Sequence, residues 1–313
     1  MHAAARFIAI ALIALAGSAA AQQKPEIDPT PPGSLNPEPL PLLEYRDAKT
    51  AAKEFFARKP TPFPGPALSV GGYSDGCLAG ATTLPINGPS WQVMRLSRNR
   101  NWGNPHLVRF IERFANNAKK VGWNGVLVGD MSQPRGGPMI SGHTSHQVGL
   151  DADIWFTPMP NHVQNREERE FTSATNIVAA GLLDVDPQIW TPTYTVLIRT
   201  AAKDPAVTRI FVNAAIKKAL CREAGEDRAW LHKVRPWFGH DYHFHVRIAC
   251  PPDNHECEVQ PAVPGTDDGC GADLKSWLKD SVVHLKPTAG AGPAQGIPMS
   301  KLPKECKAVL NAP

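Results

Sequence analysis

One run of residues in the second half of the chain decides both fold and chemistry: Trp237-Phe238-Gly239-His240-Asp241-Tyr242-His243-Phe244-His245-Val246. If residues 242–247 form a strand, alternation places His243 and His245 on one face, with Phe244 packing behind them. Two adjacent imidazolium rings repel each other, so the state in which both are protonated is energetically unfavourable. A metal ion resolves this by binding one neutral ring and leaving the other for proton transfer. Taken alone, the pattern fits a pair of surface histidines on a strand edge equally well.

A second run, earlier in the chain, carries further groups that bind metals: Ser141-Gly142-His143-Thr144-Ser145-His146-Gln147-Val148-Gly149-Leu150-Asp151-Ala152-Asp153. We predict that His146 lies in a loop and that Gly149 turns the backbone into a strand with Asp151 and Asp153 on one face. One imidazole and one carboxylate from this run, with one imidazole from the first, make three ligands that suit zinc, leaving a fourth position for water. The alternative is a loop histidine and a strand-end aspartate that only cap backbone groups.

Three other motifs match catalytic signatures but lack the context that those signatures need. Gly72-Tyr73-Ser74-Asp75-Gly76 fits the G-x-S-x-G serine elbow, yet no clear helix follows, so we interpret it as a glycine-rich turn ahead of a disulfide. Ser276 opens an S-x-x-K match without the S-D-N and K-T-G partners of penicillin-binding enzymes. His255 begins an H-E dipeptide, but valine stands where H-E-x-x-H needs its second histidine.

Local patterns along the chain predict an α+β fold. Apolar residues at helical spacing follow Pro105, a proline at a permitted first-turn position, and a further helix is expected over residues 214–221. Strands are predicted at residues 126–128, 150–156, 207–212 and 244–249. Because strands and helices do not alternate regularly, we predict a single α+β domain with a mainly antiparallel central sheet that carries the zinc site.

The first residues predict export. Arg6 precedes an apolar run from Phe7 to Ala16, and small residues then end in Ala19-Ala20-Ala21, which is typical of a signal peptide cleaved before Gln22. The apolar run is short for a membrane anchor, and no later stretch is apolar enough to span a bilayer. We therefore expect a secreted, periplasmic protein without a membrane span.

The cysteines agree with an oxidising compartment. Their even number predicts three disulfides: Cys77, Cys221, Cys250, Cys257, Cys270 and Cys306. No pair is spaced C-x-x-C, so a structural zinc–cysteine cluster is not expected, and spacing alone leaves the pairing open. The formal net charge of +4 is too slight and too dispersed to indicate nucleic acid as a partner.

Several blocks of sequence, in order, resemble the penicillin-insensitive murein endopeptidases, zinc peptidases related to lysostaphin-type enzymes, D-Ala-D-Ala peptidases and hedgehog domains. The blocks extend from about Tyr73 to Cys306 and comprise residues 74–77, 129–131, 142–153, 208–213, 234–238, 243–247 and 268–271. The resemblance implies an enzyme with Zn²⁺ as cofactor and peptidoglycan as partner. It would hydrolyse D-alanyl–meso-diaminopimelate cross-links between stem peptides and would be insensitive to penicillin.

The resemblance also implies roles for individual residues: His146, Asp153 and His245 as zinc ligands, His243 as catalytic base and His240 as its assistant. His143 occupies a position that is associated with metal in the family, as a ligand or as a neighbour of one. The family's second metal-associated Asp/His pair has no full counterpart, since the aspartates near residues 181–186 lack a histidine. The implied disulfides are Cys77–Cys306, Cys221–Cys270 and Cys250–Cys257.

These expectations divide the chain into a signal peptide (1–21), a proline-rich leader with at most one short helix near residues 44–58 (22–66), a zinc peptidase domain (67–286) and a C-terminal tail pinned by a disulfide (287–313). Two other functions stay open. One is a zinc D,D-carboxypeptidase of the same fold, and the other is a non-catalytic, metal-stabilised module that binds the cell wall.

Overall fold

The structure is a computed structural model that describes residues 40–41, 43, 50–284 and 296–313, so the expected signal peptide and most of the leader lie outside the described residues. Its α-helices are α1 (Ala52–Phe56), α2 (Pro105–Lys120), α3 (Arg166–Phe171), α4 (Pro192–Ala202), α5 (Ala214–Glu223), α6 (Ala272–Trp277), α7 (Asp280–Val283) and α8 (Glu305–Asn311). Its strands are β1 (Leu68–Gly72), β2 (Asp75–Ala79), β3 (Thr82–Thr83), β4 (Trp91–Val93), β5 (Trp102–Gly103), β6 (Val126–Val128), β7 (Asp151–Pro158), β8 (Val207–Val212), β9 (Val234–Pro236) and β10 (His243–Ile248). Short 3₁₀ turns lie at Leu96–Arg98, Ala229–Lys233 and Met299–Lys301.

A six-stranded mixed sheet, in the order β4-β6-β7-β10-β8-β9, lies at the centre of the molecule. The inner pairings, β6–β7, β7–β10 and β10–β8, are antiparallel, and the two outer pairings are parallel. This arrangement confirms the predicted single α+β domain with a mainly antiparallel sheet. Strands β6 and β8 have the predicted bounds, and β7 and β10 differ from theirs by a residue or two.

The helix expected after Pro105 is α2. Its first turn is fixed by Asn104, whose side chain accepts a hydrogen bond from the backbone N–H of His106, and by the proline that follows Asn104. The apolar face of α2 packs on the sheet, where the Phe114 ring lies edge-on to Phe244 at 6.0 Å. Phe244 therefore faces the core, and the alternation of β10 turns the neighbouring histidines to the opposite face.

A second apolar cluster joins segments from both ends of the described chain. Phe55 and Phe56 of α1 pack there with Met299 and with Val309 and Leu310 of α8. This cluster is why α1, the part of the expected helix near residues 44–58 that falls in the described chain, is ordered against the body. A helix of this length needs tertiary packing to be stable.

The loop between β6 and β7 rests on this second cluster. A Cβ at Gly137, where φ is +75°, would lie 2.3 Å from the Phe56 ring, so only glycine permits this close approach. The buried guanidinium of Arg135 donates to the carbonyl oxygens of Val309 at 2.9 Å and of Thr61 at 3.1 Å. Both ends of the described chain therefore support the loop that carries His143 and His146.

All three disulfides pair as the resemblance implied: Cys77–Cys306, Cys221–Cys270 and Cys250–Cys257. The G-x-S-x-G match is the predicted turn, since Gly72 pairs with Asp75 and leaves Tyr73 and Ser74 as the two-residue connection of the β1–β2 hairpin. Among the helices of the described residues, none combines the length and apolarity that a membrane crossing requires. The four proposed boundaries along the chain stay a prediction.

Candidate active site

The register between β7 and β10 brings the two histidine runs together. His245 lies directly opposite Asp153, and Arg247 lies directly opposite Asp151. Residues opposite one another in an antiparallel pair project from the same face, with Cβ atoms about 5 Å apart. The predicted alternation is thereby confirmed, and the two carboxylates and the histidines of β10 share one face of the sheet.

Three donor atoms form a small triangle on this face. His146 Nε2 lies 3.2 Å from His245 Nδ1 and 3.4 Å from Asp153 Oδ1, and the two latter atoms are 3.6 Å apart. Zinc–ligand bonds of about 2.0–2.1 Å in tetrahedral geometry separate ligand atoms by about 3.3 Å, so the triangle has the dimensions that zinc requires. Within the described chain, the buried Oδ1 of Asp153 has no hydrogen-bond partner, which suits an oxygen reserved for a cation.

The outer nitrogens of both imidazoles face oxygen acceptors. His146 Nδ1 lies 2.7 Å from the carbonyl oxygen of Met131, and His245 Nε2 lies 3.0 Å from Oδ1 of Asp151. A proton on each outer nitrogen leaves the inner nitrogen with a lone pair that points into the triangle. Such outer contacts are the usual way in which metal-binding histidines are oriented.

Asp151 contacts both His146 and His245 and is itself held by Arg247. Its Oδ2 accepts the backbone N–H of His146 at 3.1 Å, and the guanidinium of Arg247 donates to both carboxylate oxygens, at 2.7 and 3.1 Å. Arg247 is in turn held between the rings of Tyr73 and Phe211, 4.1 and 5.3 Å from their centroids. Burial alone would raise the pKa of Asp151, but the Arg247 charge holds that pKa well below its usual range.

His143 lies beside the triangle, on the second carboxylate oxygen of Asp153. Its Nε2 is 3.5 Å from Asp153 Oδ2 and 2.9 Å from Asp130 Oδ2. Asp130 also binds Arg100 at 2.7 Å and Arg98 at 3.3 Å, and these charges hold its pKa well below the usual range despite complete burial. His143 is therefore anchored by an ionised carboxylate that two guanidinium groups keep in place.

A second grouping of donor atoms overlaps the first. Atoms of His143, His146 and Asp153 all lie within 4.8 Å of one another, so His143 is also near enough to bind a metal held by the other two side chains. His143 thus fits both of its predicted roles, as a ligand or as a neighbour of one. Both groupings include His146 and Asp153.

His243 and His240 line the side of the triangle nearest the start of β10. His243 Nε2 is 3.6 Å from Asp153 Oδ1, and the ring centroids of His243 and His240 are 4.9 Å apart. Burial, together with the neighbouring imidazoles of His243 and His245, holds the pKa of His240 well below its ordinary value. Neutral His240 points Nδ1 at the Phe238 carbonyl oxygen, 2.7 Å away, which leaves Nε2 as an acceptor.

The protonation of the two principal histidines differs because their surroundings differ. Burial lowers the pKa of His245 to about 4, so this ring is neutral near pH 7, as a metal ligand must be. For His146, burial is outweighed by the carboxylates of Asp153, Asp151 and Asp130, which raise the pKa. The same negative charges favour any cation at that position, whether a proton or a metal ion.

Two residues of this site have a left-handed backbone conformation. His146 has a φ of +67° and His240 has a φ of +56°, in the left-handed region that non-glycine residues seldom occupy. Such conformations cost on the order of 1 kcal/mol and persist where the surrounding contacts enforce them. The left-handed turn at His146 directs its ring towards the sheet instead of into solvent.

Sequence reasoning missed three supporting groups: the carboxylate of Asp130, the carbonyl of Met131 and the guanidinium of Arg247. Two signals were available for the side chains, because Asp130 follows the buried strand β6 closely and Arg247 lies two residues beyond His245 on the same face of β10. Ser276, the S-x-x-K match, lies on α6 and donates its hydroxyl to the Asp273 carbonyl, 2.7 Å away.

Comparison with known proteins identifies the family of the chain. A sequence model described as penicillin-insensitive murein endopeptidase matches residues 69–311. Proteins of that name from Citrobacter koseri and Pectobacterium atrosepticum are each 45% identical over 250 residues, covering 80% of this chain and 88% and 86% of those proteins. One from Haemophilus influenzae is 43% identical over 264 residues, covering 82% of this chain and 87% of that protein. The chain belongs to the penicillin-insensitive murein endopeptidase family.

Proposed function

We propose that this protein is a zinc-dependent endopeptidase that hydrolyses D-alanyl–meso-diaminopimelate cross-links in peptidoglycan and is insensitive to penicillin. The observation that carries the metal assignment is the triangle of His146 Nε2, Asp153 Oδ1 and His245 Nδ1, with separations of 3.2–3.6 Å. Family membership supports the substrate, because the relatives are named as murein endopeptidases. The three disulfides support a secreted, periplasmic location.

The residues present fit zinc in number, type and spacing. His146, Asp153 and His245 would hold the ion. His143 would either bind the ion as well or position Asp153 by contacting its second carboxylate oxygen, Oδ2. When bound, zinc lowers the pKa of a coordinated water from that of bulk water to about 7 and polarises the peptide carbonyl. Two imidazoles and one carboxylate leave a position open for that water.

We assign proton transfer to His243. Its Nε2 faces the same carboxylate oxygen as the ligands, at 3.6 Å, without being one of the three triangle atoms. From this place Nε2 takes the proton of the attacking water and returns it to the leaving amine. Because β10 packs Phe244 into the core behind it, the His243 imidazole is held at a defined position beside the triangle.

We assign an assisting role to His240. The Nδ1–H of the neutral His240 ring is directed at the Phe238 carbonyl, so its Nε2 is free to accept a hydrogen bond. The ring centroids of His240 and His243 are 4.9 Å apart. An acceptor suits orientation of His243 or of water better than stabilisation of a developing oxyanion, which needs a donor.

The decisive experiment incubates the purified protein with cross-linked muropeptide dimers, with penicillin in one sample and a chelator in another. We expect conversion to monomers that survives penicillin, stops with chelator and returns with zinc. Penicillin-sensitive cleavage would point to a serine enzyme instead. Release of terminal D-alanine from linear stem peptides without dimer cleavage would identify a carboxypeptidase, and zinc binding without any cleavage would identify a wall-binding module.

A further inference from the structure

Three aromatic side chains beside the active site have no part in the mechanism above. They are Trp237, Phe238 and Trp277, which we call the aromatic patch. The Trp237 ring lies 5.9 Å from Trp277 and 6.3 Å from Phe238, and Phe238 lies 5.0 Å from Trp277. Trp237 is 51% exposed, although tryptophan is usually well buried, while Phe238 and Trp277 are half-buried beneath it. An exposed indole on such an aromatic base, next to an active site, is typical of a binding surface.

The aromatic patch is continuous with the active site. Phe211 lies opposite His245 in the β8–β10 register, with ring centroids 5.2 Å apart, and the same Phe211 ring lies 6.0 Å from Trp237. Phe238 is tied to the site through its carbonyl, which faces His240 Nδ1 at 2.7 Å. Two ring-to-ring steps therefore lead from a proposed zinc ligand to the exposed indole.

The aromatic patch is also held in place before any ligand arrives. The backbone N–H of Trp237 donates to the Val212 carbonyl at 2.8 Å, just after β9. Helix α6, which ends at Trp277, is linked to α5 by the Cys221–Cys270 disulfide close to its start. At the polar edge of the patch, the Arg235 guanidinium binds the Asp273 carboxylate. A surface fixed in this way loses little conformational freedom on binding.

We propose that the aromatic patch binds a pyranose ring of the glycan strand from which the cleaved stem peptide extends. This inference rests on the proposed function, because it takes peptidoglycan as the substrate. The electron-rich faces of indole rings attract the C–H groups on the flat side of a sugar ring. Arg235 and Asp273 at the edge offer donors and acceptors for hydroxyl and N-acetyl groups.

The length of the stem peptide is comparable to the ring-to-ring path from His245 to Trp237. Roughly three residues separate the sugar from the D-alanine at the cross-link, and an extended chain covers about 3.3 Å per residue, or about 10 Å in all. The path from His245 to Trp237 consists of ring-to-ring steps of 5.2 and 6.0 Å. A stem peptide with its cross-link at the metal triangle therefore reaches the patch with its sugar end.

A binding experiment tests the patch without catalysis. The probe is a β-1,4-linked N-acetylglucosamine tetramer, titrated into the protein while intrinsic tryptophan fluorescence is recorded. We expect saturable binding that weakens about tenfold in Trp237→Ala, the size expected for the loss of one aromatic stacking contact. Phe171→Ala is the matched control, since Phe171 is also 51% exposed but lies on α3, and it should bind the probe as the wild type does.

A kinetic experiment links the patch to the substrate. Cross-linked dimers are compared with and without their disaccharides, and circular dichroism confirms that each variant is folded. We expect Trp237→Ala to raise KM for the disaccharide-bearing dimer about tenfold, so that the KM values of the two substrates converge. Trp237→Leu, which keeps apolar surface but removes the ring, should behave like the alanine variant.

The two experiments separate the possible failures. A KM ratio unchanged by Trp237→Ala, or probe binding unchanged by it, would overturn the glycan assignment. An equal loss on both dimers would show that the patch contacts peptide, which would overturn it as well. Failure of the wild type to cleave either dimer would instead contradict the proposed function, while the probe titration would still report on the patch.

Discussion

Asp151 holds His245 from behind: its Oδ1 lies 3.0 Å from His245 Nε2, while Arg247 donates to the same oxygen at 2.7 Å. The ionised carboxylate of Asp151 thus favours one tautomer of His245, a proposed zinc ligand. By accepting the backbone N–H of His146, it also positions the loop that carries this second proposed ligand. Neither Asp151 nor Arg247 supplies one of the three donor atoms of the triangle formed by His146, Asp153 and His245. Both are positioning residues, and their effect should be measurable on the metal itself.

Asp151→Asn should therefore lower zinc affinity by about 10- to 100-fold, because the amide cannot match the charge that orients His245 and binds Arg247. Competition with a chromophoric chelator measures this effect without any substrate. Asp75→Asn, on the exposed hairpin turn, is the control and should bind zinc as the wild type does. Unchanged affinity in Asp151→Asn would mean that the carboxylate does not orient the ligand.

His243→Ala and His146→Ala should fail in different ways. His243→Ala keeps the three triangle atoms, so it should retain zinc while turnover of cross-linked dimers falls about 100-fold or more, as expected for loss of a general base. His146→Ala removes a triangle atom, so it should lose both zinc and activity. Metal content and dimer cleavage, measured on the same preparations, separate the two outcomes. Full activity in His243→Ala would show that another group moves the proton.

Lys217 should make the free energy of unfolding depend on pH. It is completely buried, and its Nζ donates to the carbonyls of Leu231 at 2.8 Å and Asp268 at 2.6 Å. Burial, aided by the Arg235 charge, lowers the Lys217 pKa to about 7. The unfolded chain keeps this proton up to about pH 10, so unfolding takes up a proton between those values and stability rises with pH there.

The comparison is with Lys217→Met, which keeps the stem and removes the charge. Between about pH 7 and about pH 9, the wild type should gain on the order of 2 kcal/mol of unfolding free energy relative to the variant. Denaturant titrations at a series of pH values measure the difference. Parallel curves would show that the two carbonyls solvate a lysine that stays charged in the folded protein.

Gly137→Ala should destabilise the protein by about 3 kcal/mol, because its Cβ would meet the Phe56 ring at 2.3 Å in a left-handed conformation. Gly122→Ala is the matched control: its φ is also positive, at +91°, but nothing lies within 4 Å of the added atom. That variant should lose only about 1 kcal/mol. Equal decreases in the free energy of unfolding for the two variants, measured by denaturant titration, would show that the Phe56 ring moves aside at little energetic cost.

The sequence predicted those features that depend on local alternation. The common face of His243 and His245, and that of Asp151 and Asp153, follow from a period of two along a strand. Strand β6 stands out as a short continuous apolar run between glycines, and β8 stands out because four of its six residues are β-branched. The resemblance then chose Asp153 over Asp151 as the ligand, a choice that alternation left open.

Features that depend on register or on distant backbone could not be predicted in the same way. Alternation does not show that His245 stands opposite Asp153, or that the Met131 carbonyl meets His146, because both follow from how separate segments align. Short outer strands such as β4 and β9 carry too few residues to display a period. The packing of Phe56 on Gly137 joins segments whose proximity no local pattern encodes.

The Cys77–Cys306 disulfide has a consequence for the order of assembly, because it joins residues 229 positions apart. The helix that carries Cys306 is synthesised well after the loop that carries His143 and His146, yet its carbonyls accept hydrogen bonds from Arg135 in that loop. If the chain is exported amino terminus first, that loop crosses the membrane before α8, the helix that supports it. We expect a partly translocated chain, in which the loop has emerged without this helix, to be inactive as a peptidase.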